Sequence, residues 1–244
     1  MRKRALFLGF CLATGAAVSL AALSGVALAG PVRGKVSGQD KLLPEVFQEA
    51  SRRDAHRFTW REPSPSVRKE FRELTANLSR DVCVAALSSD RVPPAEPVLI
   101  RVTGGHSIPT TIVVQPNTKL VFNVRDPFPH KLYLVGNETS FPAQDTSGGG
   151  SREWVAPGGE GKFEIRDKLF PSIRMFVLVK PQVAAIAYPS RDGAFAMNLP
   201  SGNYTLQPFF EGRPVGRPTQ VLAKDKQLVD IKEAIAIGEG EAVK

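Results

Sequence analysis

At 244 residues the chain is long enough for one large β domain or two small ones, and 32 Lys/Arg against 24 Asp/Glu give a formal net charge of +8. Its two cysteines, Cys11 and Cys83, are too few for a disulfide framework, and nothing around them reads as a zinc site.

Arg2, Lys3 and Arg4 precede an apolar run from Ala5 to Leu23 and then the triplet Ala27-Leu28-Ala29. This is the layout of a cleaved export signal occupying 1–29, with an uncleaved anchor as the competing reading. Cleavage after Ala29 would remove three cations and Cys11, leaving a mildly basic chain of about +5 with Cys83 alone. An odd cysteine forms no disulfide within the chain. In the apolar run "DVCVAAL" it reads as a small buried hydrophobe, with a reactive or intermolecular thiol as the alternative. No later segment is apolar enough to span a bilayer, so the expectation is a periplasmic or secreted protein of a bacterial envelope with no span after cleavage.

"GPVRGKVSG", Gly30 to Gly38, suits a first strand. The pattern from there to about Arg80 is helical: Val67, Phe71, Leu74 and Leu78 fall on one helix face, and a less regular stretch runs from Leu43 to Phe58. Within it, residues 52–72 hold Arg52, Arg53, Arg57, Arg61, Arg68, Lys69 and Arg72 against Asp54, Glu62 and Glu70. Phe58 and Trp60 sit among these cations. The plain reading is a solvated face whose aromatics dock on the body. The functional one is a partner-binding surface (Arg52, Arg53, Arg57, Trp60, Arg61) for an envelope protein or an anionic envelope polysaccharide. Nucleic acid is not expected, since no reader motif is present.

From Asp81 onward short strand-like runs recur every eight to twelve residues: "DVCVAAL", "PVLIRV", "TTIVVQ", "KLVFNV", "HKLYLV", "REWVA", "GKFEI", "RMFVLVK", "VAAIAY", "GAFAMNL", "NYTLQPFF", "TQVLA" and "QLVDI". Gly, Pro, Asn and Asp clusters separate them. The pattern points to a mainly β sandwich. Asp192-Gly193 suits a tight hairpin turn, with Phe195, Met197, Tyr204 and Leu206 facing inward on the following strands. The closing "AIGEGEAVK", 236–244, reads as a frayed tail.

Three blocks in order, "SIPTTIVVQPNTKLVFNVRDPFPHKLYLV", "REWVAPGGEGKFEIRDKLFPSIRMFVLV" and "AIAYPSRDGAFAMNLPSGNYTLQPFF", resemble the cupredoxin-like proteins labelled plastocyanin-like or methylamine-utilisation-like. The resemblance implies a Greek-key β-sandwich over 81–180, with His130 at the first copper-ligand position and Pro157-Gly158 at the turn before the copper loop. It also implies that Asp167 stands where the family has cysteine, Phe170 where it has a second histidine and Ile173 where it has methionine. A blue-copper centre requires a thiolate, two imidazoles and a weak axial ligand, so no cofactor is expected. His130 is left as a structural histidine, a vestigial metal ligand with His106 or Met175, or a partner contact. The "SRDGAFAMNLPSGNYTLQPFF" block resembles carboxypeptidase-regulatory-like, transthyretin-like strand modules, assigned to 181–235, with the first strand and basic helical insertion at 30–80. No catalytic arrangement accompanies any of the three histidines. The expected function is therefore non-enzymatic, an envelope scaffold or binding protein, with copper binding or electron transfer through His130 as the alternative.

Overall fold

Some strands of the computed structural model, which describes residues 29–45, 75–90 and 92–238, bury every second residue, and others are buried without a break. In chain order the strands are β1 (Gly30–Ser37), β2 (Val82–Leu87), β3 (Val98–Thr103), β4 (His106–Ile108), β5 (Thr111–Val114), β6 (Lys119–Val124), β7 (Leu132–Leu134) and β8 (Ser151–Val155). They continue as β9 (Gly161–Asp167), β10 (Arg174–Val179), β11 (Val183–Ala187), β12 (Ala194–Leu199), β13 (Gly202–Phe210), β14 (Arg213–Pro214), β15 (Thr219–Ala223), β16 (Val229–Asp230) and β17 (Ile235–Ala236). One helical turn, α1 (Leu78–Asp81), leads directly into β2. The protein is mainly β, as its turn spacing implies. Among the described residues no helix is long and apolar enough to cross a membrane.

Two sandwiches share the molecule. In the first, sheets β4-β3-β6-β8 and β5-β10-β9-β7 enclose Ile100, Leu120, Phe122, Leu132, Ile165, Met175 and Val177. Strands β6 and β9 supply alternating inward residues, so each buries one face and leaves the other wet. In the second, β12-β1-β16 with β17 faces β11-β2-β13 with β14 and β15, over Val32, Val36, Val84, Phe195, Leu199, Leu206 and Phe210.

The strands pair across the ranges into which the sequence groups them. β1 lies antiparallel to β12, with Gly30 opposite Leu199, 169 positions further along the chain. β2, grouped by sequence with 81–180, is hydrogen-bonded between β11 and β13. The Asp192-Gly193 turn joins no hairpin: β11 pairs with β2 while β12 crosses to β1, so the turn switches the chain between sheets. Gly193, at φ 88°, lets the turn lie so close that a Cβ would stand 2.1 Å from the Val36 carbonyl oxygen. The tail begins later than expected, because Val36 and Ser37 pair with Ile235 and Ala236 and Ile237 is 1% exposed.

Burial of β2 on both faces explains why "VCVAAL" does not alternate. Val82, Val84 and Ala86 point into the second sandwich, while Cys83 and Ala85 face Val113, Leu178, Val183 and Phe209. These last residues form a third apolar layer joining sheet β11-β2-β13 to sheet β5-β10, so the two sandwiches are welded through their inner sheets. Small side chains at 83 and 85 allow that approach. Burial pushes the Cys83 thiol up to about 12, with the Tyr188 hydroxyl and the Val113 backbone as lesser, opposing contacts. The Tyr188 hydroxyl lies beside the thiol without a partner at hydrogen-bond geometry. Cys83 is thus the buried hydrophobe of the sequence reading, inert by desolvation.

Candidate functional site at the His130 end

The turn after β6 ends the outward-going strand with Asp126-Pro127-Phe128-Pro129, and prolines at both 127 and 129 stop it from continuing the ladder. His130 re-enters the fold through a two-way backbone pair with Thr146, at 3.0 and 2.8 Å. Its side chain is wholly buried. The imidazole lies between two carboxylates: Nδ1 is 2.7 Å from Asp167 Oδ2, and Nε2 is 3.1 Å from Asp126 Oδ2.

Both carboxylates have further duties. Asp167 Oδ1 accepts the backbone N–H of Leu169 at 2.7 Å and of Phe170 at 3.2 Å, fixing the bend that follows β9. Asp126 Oδ1 accepts the Gly104 N–H at 2.7 Å, tying in the β3–β4 turn. One side chain cluster therefore sets three chain connections. Phe170 closes the site, its ring centroid 4.8 Å from that of His130 and 4.9 Å from that of Phe128. Ile173 is wholly buried in the core beneath.

The positions implied by the family resemblance, Asp167 and Phe170, do meet at His130. They do not fit a blue-copper centre. Each ring nitrogen is engaged by a carboxylate, Nδ1 by Asp167 and Nε2 by Asp126, so neither is presented to a metal. The neighbours are a carboxylate and a phenyl ring where thiolate and imidazole are required. Among the described residues, no group of three or more His, Cys, Asp or Glu could hold a metal ion. Met175 is buried in the first sandwich core. His106 sits outward on β4; partial shielding of its ring and then the Arg80 guanidinium hold it below the usual histidine range.

Asp126 escaped the sequence reading as a partner of His130 because an Asp before Pro is the ordinary composition of a turn. Its place four residues ahead of the histidine was the available signal. Arg52, Arg53, Arg57, Trp60 and Arg61 lie outside the described residues.

No family model and no curated protein matches the chain. Among solved structures it is similar to amicyanin from Paracoccus versutus, 14% identical over 40% of this chain and 97% of that one, with a TM-score of 0.32. A reduced amicyanin variant is 12% identical over 34% of this chain and 81% of its own, at a TM-score of 0.28. A Cu(I) amicyanin variant is 11% identical over 41% and 99%, at 0.31. At such identities and scores the likeness carries no argument about this chain.

Proposed function

We propose that this is a non-enzymatic, exported envelope protein, a scaffold or binding component that uses a cupredoxin-like sandwich without its copper chemistry. The observation that carries the reading is the closed cluster at His130. A histidine held at both nitrogens by Asp126 and Asp167 and covered by Phe170 serves to fix loops, and it leaves no open coordination position. The partner-binding role is assigned to the basic segment, with Arg52, Arg53, Arg57, Trp60 and Arg61 meeting an envelope protein or anionic polysaccharide. The regulatory-like resemblance of 181–235 fits the same reading, since such modules are structural or interaction parts.

The test is copper retention. Purified protein incubated with copper and dialysed is expected to keep no stoichiometric metal and to develop no thiolate charge-transfer colour. One retained equivalent that disappears in His130→Ala would replace this reading with copper handling. For the partner, Arg52, Arg53, Arg57 and Arg61 changed together to Ser should weaken association with envelope fractions, most visibly at low salt. Undiminished association would remove the basic segment from the proposal.

A further inference from the structure

The two-residue turn between β13 and β14 is Glu211-Gly212, with φ of 49° and 69°. A two-residue hairpin turn with positive φ at both positions favours Asn, Asp or Gly at the first. Glu211 instead places a long carboxylate there, and its side chain reaches inward, leaving the residue 5% exposed.

Two pieces of chain bond to it directly, and two more join the same network nearby. The Glu45 backbone N–H donates to Glu211 Oε1 at 3.0 Å and to Oε2 at 3.3 Å. The Glu211 N–H donates to Thr111 Oγ1 at 2.9 Å, at the start of β5 in the other sandwich. Thr111 Oγ1 in turn donates to the Asp81 carbonyl at 2.6 Å, on α1. Close by, Ala76 donates its N–H to the Leu42 carbonyl at 2.9 Å, and Asn77 N–H donates to Asp81 Oδ2 at 2.8 Å. Glu211 therefore holds the backbone at residue 45, and through Thr111 its network extends to Asp81 and Asn77.

We propose that Glu211 is a proton-operated latch: its carboxyl, neutral and buried, holds the 42–45 segment at the junction of the two sandwiches, and its ionisation loosens that hold. This inference does not depend on the copper or partner readings.

The charges facing the carboxyl decide the sign. Glu45, on the latched segment, and Asp81, on α1, are like charges that oppose ionisation; Arg213, on β14, favours it. Arg80 is engaged by Asp81 at 2.7 Å, and the Lys162 stem on β9 lies against Gly212. Burial is the largest influence and outweighs the favourable Glu45 N–H bond, so the carboxyl is pushed up to about 7 from an ordinary 4.5. A state in which water reaches Glu211 takes up its proton less readily than the latched one. Acid therefore favours the latch. Its contribution is complete below the ordinary carboxylate value and is lost as the pH rises through about 7.

The experiment is hydrogen exchange of the full chain at pH 5 and pH 7.5, following the peptide that covers 40–46 and normalising each rate to the denatured chain. If opening restores the ordinary carboxylate, protection falls by about sixty-fold over that range. Glu211→Gln keeps an oxygen for the Glu45 N–H but cannot ionise, so its protection should agree at the two pH values within about twofold. Equal wild-type protection at both, or an undiminished pH dependence in Glu211→Gln, overturns the proposal. Should that variant not fold, carbon-13 titration of the Glu211 carboxyl in the unaltered protein takes its place. A midpoint near neutrality supports the latch, and a midpoint in the ordinary carboxylate range overturns it.

Discussion

Replacing Asp167 by Ala asks whether the His130 cluster holds its end of the first sandwich together. The change removes a carboxylate 2.7 Å from His130 Nδ1 that also accepts the N–H groups of Leu169 and Phe170. Leu169 is exposed, so water can take over that amide; His130 is wholly buried, and its ring cannot be rescued in the same way. Breaking such a buried pair from one side costs about 3–5 kcal/mol, a large part of the roughly 5–15 kcal/mol that holds a typical domain folded. Asp167→Asn keeps the acceptor for the two amides and should recover part of the loss. His130→Ala strands both carboxylates and should cost about as much. The double variant should fall short of the summed losses by about 1–3 kcal/mol, because one contact is removed only once. Urea unfolding followed by fluorescence reads this out, since Trp154 lies buried in the same core and Trp60 can be changed to Phe. A loss below about 1 kcal/mol for Asp167→Ala, or strict additivity, would refute a structural role for the cluster.

Cys83 should resist thiol reagents at pH 8 in the native protein and react fully once denatured, because burial keeps the thiol neutral; rapid native labelling would contradict its place between the sheets. Ala85→Leu should cost about 1–3 kcal/mol or more by forcing the inner sheets apart, measured by denaturant midpoint, whereas a neutral outcome would mean the third apolar layer is loosely packed. Gly193→Ala meets the Val36 carbonyl oxygen and a positive φ together and should lose about 2 kcal/mol or more; a change under about 0.5 kcal/mol would show that the turn relaxes freely.

The strands were legible because most bury one face, and Leu120, Phe122 and Val124 or Phe195, Met197 and Leu199 announce that period directly. β4, β14 and β17 span only two or three residues each, too few for any period to register. Partnership was the hidden part. Nothing local in "GPVRGKVS" says that it lies between β12 and β16, because that pairing is fixed by shape matching across most of the chain. β2 misled for a related reason: buried on both sides, it carries no alternation to show which sandwich it serves. The site was half visible. The family resemblance brought Asp167 and Phe170 to His130, whereas the second carboxylate was concealed in an ordinary turn, and Glu211 was concealed by its position in a hairpin tip that local composition gives to smaller residues.

The path of the chain through the two sandwiches carries a consequence for biosynthesis. The first sandwich is one continuous stretch from β3 to β10, whereas the second recruits β1 and β2 from before that stretch and β11 to β17 from after it. As the chain emerges from its N-terminus, the nested sandwich can close its core while its host still lacks seven of its nine strands. β1 and β2, already made, must then wait with open edges for partners translated more than a hundred residues later. During that interval the apolar "VCVAAL" is the segment most in need of shielding, so substitutions there should lower the yield of folded protein more than they lower the stability of the molecules that do fold.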